Sequence, residues 1–154
     1  MSTITTSVDV DVDVTTAYNQ WTQFESFPNF MEGVEEIRQL DDTHTHWKIK
    51  VAGTTREFDA RITEQNPDER IAWRAEDGPQ HAGVISFHRL DDTHTRVTAQ
   101  MDIDPSGFVE NVADKLGLLD QRVKGDMNRF KEFIESRGGH ETGAWRGEVD
   151  RPGS

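Results

Sequence analysis

The chain has 154 residues, a formal net charge of −12 and no cysteine. Such a length suits one domain with one core, and such acidity argues against nucleic acid and anionic membrane surfaces, both of which call for basic patches. The lack of cysteine excludes disulfides, thiolate nucleophiles and cysteine metal sites.

The first residues carry neither a basic cluster nor an apolar run, so no secretory leader is expected. No stretch approaches the roughly 20 apolar residues of a membrane span. The expectation is a cytoplasmic protein without integral membrane association. Over 4–14, Val8, Val10, Val12 and Val14 alternate with Asp9, Asp11 and Asp13, the pattern of a strand with one dry face. Residues 15–21 read as a short helix with Asp13 or Thr15 as N-cap. Phe24, Phe27, Phe30 and Met31 follow, and Pro28 splits off a second short helical piece before Gly33. Those aromatics suit either core or the mobile wall of a pocket.

Strands are predicted over 34–40, 46–51, 56–64, 70–75, 82–90 and 95–103, each bounded by Asp, Gly, Asn or Pro turns. The short connections imply an antiparallel meander. Parity places Trp47, Ile49 and Val51 on one face, with Phe58, Ala60 and Ile62, with Ile71, Trp73 and Ala75, and with Val97, Ala99, Met101 and Ile103. In 82–90, Gly83, Ile85 and Phe87 are taken as inward. Leu-Asp-Asp-Thr-His-Thr occurs at 40–45 and again at 90–95, one hairpin solution used twice.

The strongest periodic signal runs from Gly107 to Arg137. Val109, Val112, Leu116, Leu119, Val123, Met127, Phe130 and Ile134 recur at steps of three or four. This predicts a helix of about 30 residues, roughly 45 Å long, with Asp104-Pro105-Ser106 as start and Gly138-Gly139 as stop. One long apolar stripe needs a broad partner, so the strands should wrap it, with the first strand beside the last. Residues 1–138 form the expected domain, and 139–154 read as a flexible, Gly-rich tail whose Trp145 alone suggests folding back.

This order, with Trp21-Thr22-Gln23-Phe24-Glu25-Ser26-Phe27-Pro28-Asn29-Phe30-Met31, Glu57-Phe58-Asp59-Ala60-Arg61-Ile62, Arg70-Ile71-Ala72-Trp73-Arg74 and Arg129-Phe130-Lys131-Glu132-Phe133-Ile134-Glu135, resembles the START-like (SRPBCC) superfamily. The likeness is to its bacterial polyketide cyclase/dehydrase-like and coenzyme Q-binding-like branch. It implies an α+β helix-grip fold: a curved antiparallel sheet of about seven strands around a long C-terminal helix, with two short helices after the first strand. It also implies a cavity for a hydrophobic or aromatic small molecule (a lipid, a quinone or a polyketide-like compound). A binding or carrier module leads, an aromatase/cyclase is the second reading, and a stress or interaction domain without a working cavity is the third.

The candidate ligand-binding residues are Leu116, Leu119, Val123 and Met127 on the helix and Trp47, Phe58, Trp73, Ile85, Phe87 and Met101 on the sheet. Phe27, Phe30 and Met31 are the candidates for its mouth. No catalytic set emerges, because His88, Arg74, Asp59 and Arg61 fall on wet faces by alternation. There is no nucleophile motif and no phosphate loop. His44 and His46 lack a third ligand, so no metal and no cofactor are expected. A monomer or homodimer is expected, with the small-molecule ligand as partner.

Overall fold

The computed structural model describes residues 2–108, 114–138 and 140–147. β1 (Ser2–Val10) is followed by α1 (Val14–Trp21) and a 3-10 helix (Phe24–Asn29). Then come β2 (Val34–Gln39), β3 (His44–Val51), β4 (Thr54–Asn66), β5 (Arg70–Ala75), β6 (His81–Asp91) and β7 (His94–Ile103). The chain continues in α2 (Pro105–Phe108) and α3 (Lys115–Ser136). All seven strands form one antiparallel sheet in the order β1-β7-β6-β5-β4-β3-β2, so β1 closes against the last strand as the sequence implies. This is the helix-grip arrangement.

The local devices follow from residue chemistry. Asp13 caps α1 by accepting the Thr16 N–H. In the β2–β3 hairpin Asp41 accepts the Thr43 N–H at 2.8 Å and contacts His44. In the β6–β7 hairpin Asp91 does the same with Thr93 at 2.8 Å and with His94. The duplicated hexapeptide is therefore one turn built twice.

The long helix differs from expectation. α3 has 22 residues and starts at Lys115, and α2 is a separate turn. Val109 and Val112 lie outside the described residues. The physical reason is a helix start at Asp114, whose carboxylate accepts the Gly117 N–H at 2.9 Å. A Cβ at Gly117 would lie 2.2 Å from that carboxylate, so Gly117 serves the cap and not a mid-helix bend. Of the stripe on α3, Leu119, Met127, Phe130 and Ile134 are buried, Val123 is half-buried and Leu116 is exposed. On the wet face Lys131 donates to the Asp9 carbonyl at 2.7 Å, and Glu135 accepts the Asp11 N–H at 2.8 Å. Both bonds tie α3 to the end of β1.

Residues 140–147, expected as part of a flexible tail, run back along α1. Thr142 and Gln20 exchange two hydrogen bonds, of 2.9 and 3.0 Å. The Trp145 N–H donates to Thr22, and Arg146 bonds Asn19 and Asp68 while lying over the Tyr18 ring. Composition missed this because the segment docks through polar groups: Asn19, Gln20 and Thr22 are all buried on α1 and need partners. A chain ending at Gly138 is expected to lose about 1–2 kcal/mol, the net of several hydrogen bonds less the ordering entropy of the strap. Denaturant melts and hydrogen exchange at α1 measure it, and unchanged protection of α1 would contradict the strap's role.

Candidate functional site

Between α3 and the sheet lies an apolar cavity of about 120 Å³. Leu119, Val123 and Met127 line it from α3, at successive four-residue steps along one face. From the sheet come Trp47, Phe58, Trp73, Ile85 and Met101, each the inward member of its alternation. Trp21, Met31, Val34 and Phe108 are also part of the wall.

Four other sequence candidates lie elsewhere. Phe27 and Phe30 are 0% and 1% exposed and belong to a ring cluster with Trp21, Phe24 and Phe130, at centroid distances of 5.1–5.6 Å. A 3-10 helix repeats every three residues. Phe24, Phe27 and Phe30 therefore share a side, and they form a plug rather than a mouth. Only Met31, just past the helix, reaches the cavity. Phe87 lies near the β6–β7 hairpin and packs edge-on to Tyr18 at 5.4 Å, under α1. Leu116 is 39% exposed in the first turn of α3 and borders a shallow surface depression with Thr3 and Ile4.

The polar rim is on α3. Arg122 and Asp126 are the charged lining residues. Arg122 pairs with Glu32 at 2.8 Å, and Arg129 bonds Asp126, Glu32 and the Phe30 carbonyl. Asp126 also accepts the Glu32 N–H at 3.1 Å. Burial raises the Asp126 pKa above the usual carboxylate value, against the lowering effect of those bonds. These pairs fasten the segment between the 3-10 helix and β2 onto α3.

Sequence reasoning missed His81. Its imidazole is buried among the rings of Trp47, Phe58, Trp73 and Phe108, at 5.7–6.0 Å and steep angles. Nδ1 has no hydrogen-bond partner among the described residues. Burial pushes the pKa down to about 4, so the ring is neutral at pH 7 and offers one N–H and one acceptor nitrogen. The signal was available: the parity that turned Gly83 and Ile85 inward also turns His81 inward, but the strand was started one residue too late.

Among the described residues, two further cavity residues, Trp21 and Trp73, keep a buried indole N–H unpartnered, whereas Trp47 donates to Thr45 at 2.7 Å. Trp73 lies directly on Gly83, where an added Cβ would meet its ring at 2.4 Å. Gly83→Ala is therefore expected to tip the indole toward the empty space, costing about 1–3 kcal/mol and filling the cavity. A crystal structure checks the tilt, and an unmoved Trp73 would contradict it.

His44, His46 and His94 do structural work. His46 bonds Asp59 at 2.6 Å and Glu57 at 3.2 Å, which raises its pKa. Its contribution is complete below the unfolded value near 6.5 and fades as pH rises through the higher folded value. His46→Ala is expected to cost less than about 1 kcal/mol at pH 6, as for other partly exposed pairs, and progressively less as pH rises. Melts at pH 6 and at higher pH decide it. Asp59, Arg61, Arg74 and His88 are not in the lining.

A family model described as polyketide cyclase / dehydrase and lipid transport matches residues 10–132. The chain belongs to that family. It is 58% identical over 150 residues to an uncharacterised 17.2 kDa protein of the melC2-rnhH intergenic region of Streptomyces lincolnensis, covering 97% of this chain and 99% of that one. Among solved structures it resembles the Zhui aromatase/cyclase of Streptomyces sp. R1128, with TM-score 0.72 and 15% identity over 89% of this chain and 95% of the other. It also resembles a START superfamily protein of Mycobacterium smegmatis, with TM-score 0.68 and 12% identity over 88% and 95%. At such identities the two structures share the fold, and a shared fold does not supply a shared reaction. Among the described residues of this family member, no helix is long and apolar enough to cross a membrane.

Proposed function

We propose that the protein binds a hydrophobic or aromatic small molecule in the cavity between α3 and the sheet. The observation that supports this most is the cavity itself: an apolar, partly open space of about 120 Å³ walled by Trp21, Trp47 and Trp73. Interiors normally pack without such voids. Engineered apolar cavities of about 150 Å³ stay dry and take up benzene, so this volume matches one ring. A fused polyketide skeleton fits only with part of it projecting through the open side of the cavity. Compact aromatic ligands are therefore favoured over long lipids. Native mass spectrometry of the purified protein, followed by organic extraction, tests the reading. A co-purifying hydrophobic molecule supports it; an empty protein whose melting temperature no hydrophobic panel shifts would sink it.

The second reading is an aromatase/cyclase-type enzyme, and His81 is the observation that favours it. A neutral imidazole in an apolar site can donate a hydrogen bond that polarises a carbonyl. Turnover of a linear polyketone that disappears in His81→Phe while ligand binding persists would select this reading over the carrier.

A further inference from the structure

We propose that ligands reach the cavity through the seam between residues 31–34 and α3, and that Glu32 is the latch that holds this seam closed. The inference rests on the binding reading above and adds the route of entry. The cavity is partly open, and most of its lining residues are buried. Among the described residues, the lining side chains and backbone that keep partial exposure fall into two groups, with Met101 apart. Met31, Gly33 and Val34 lie between the 3-10 helix and the start of β2; Arg122, Val123 and Asp126 lie on α3. The open side is therefore where these two groups meet.

Glu32 joins the two groups through polar contacts. Arg122 holds one of its carboxylate oxygens at 2.8 Å and Arg129 the other at 3.4 Å. Its N–H donates to Asp126 at 3.1 Å. Arg122, Asp126 and Arg129 follow at steps of four and three, so they stand on one side of α3. The Glu32 side chain is 58% exposed. Ion pairs so placed are worth no more than about a fivefold shift in an equilibrium. They keep the seam shut at rest and still break readily. Releasing Glu32 lets Met31 swing aside, because an unbranched methionine adapts at little cost. The neighbouring plug has no such release: Phe27 and Phe30 are held by ring packing, which salt does not screen.

The test measures benzene exchange by NMR in the full-length protein and in Glu32→Gln. A latch changes rates and not affinity, because the seam is closed both before and after binding. Association and dissociation are each expected to rise about fivefold in Glu32→Gln, with Kd unchanged. Raising salt from about 0.1 M to about 1 M shortens screening from ~10 Å to ~3 Å. That change is expected to bring the wild-type rates toward those of the variant. Glu35→Gln removes a charge that pairs with Lys48 instead, and is expected to leave the rates alone. Equal rates in wild type and Glu32→Gln, or equal acceleration by Glu35→Gln, overturn the latch and leave hydrophobic binding standing. Absence of benzene binding overturns both. Amide exchange in the ligand-free protein gives a second readout: residue 32 and Val34 are expected to exchange about fivefold faster in Glu32→Gln. Unchanged protection there also overturns the latch.

Discussion

Acidification from pH 7 to pH 4 is expected to remove about 3 kcal/mol of stability through His81 alone, as the shift from 6.5 to about 4 implies. The folded pKa lies below the unfolded one. Between the two values the unfolded chain binds more protons, so stability falls as pH drops through that window. The full penalty is reached near the folded value, where the buried ring must either take a charge among four aromatic neighbours or leave the core. A loss of this size is a large part of the total stability of an ordinary domain. His81→Phe keeps a ring of similar shape and removes the titration. Urea melts of both proteins at pH 7 and pH 4.5 isolate the effect. His46 and His94 carry raised values and strengthen the fold on acidification, but they act equally in both proteins. Parallel pH profiles would show that His81 is solvated in solution and that the cavity is not dry.

The fold was legible where period and packing agree. Val8 and Val10, Trp47 and Ile49, and Leu119 through Ile134 announced their faces because each repeat, two or 3.6, has one side to bury. Boundaries failed where a capping carboxylate outranked periodicity. The periodicity put one helix over 107–137, while the cap at Asp114–Gly117 sets where α3 begins. The site was legible as a face, but a face does not say where packing stops. Phe30 and Met31 are neighbours in sequence; the 3-10 period buries one in the plug and leaves the other on the cavity. Leu116 and Leu119 are one turn apart, and only the second lines the cavity. The strap was hidden for a different reason: its partners are polar residues of α1, and hydrophobic patterning is blind to amides that bury one another.

Met127→Asp is expected to cost about 3–4 kcal/mol or to unfold the chain. Met127 is 3% exposed and lies between Val123 and Phe130 on the buried stripe. A carboxylate there loses the methionine's apolar contacts and gains no free cation, because Arg122 and Arg129 are already engaged with Glu32 and Asp126. It must then either stay charged at a desolvation cost or take up a proton at the expense of a raised pKa. Met127→Leu conserves volume and character and is expected to cost under about 1.5 kcal/mol. The cavity makes the pair informative beyond the helix assignment. At about 30 Å³ per water, the 120 Å³ beside Met127 has room for a few molecules that could hydrate the new carboxylate. A penalty near that of Met127→Leu would mean that water already fills the space, which would remove the premise of apolar ligand binding. A large penalty for the aspartate and a small one for the leucine would show that the wall is dry and that α3 closes it.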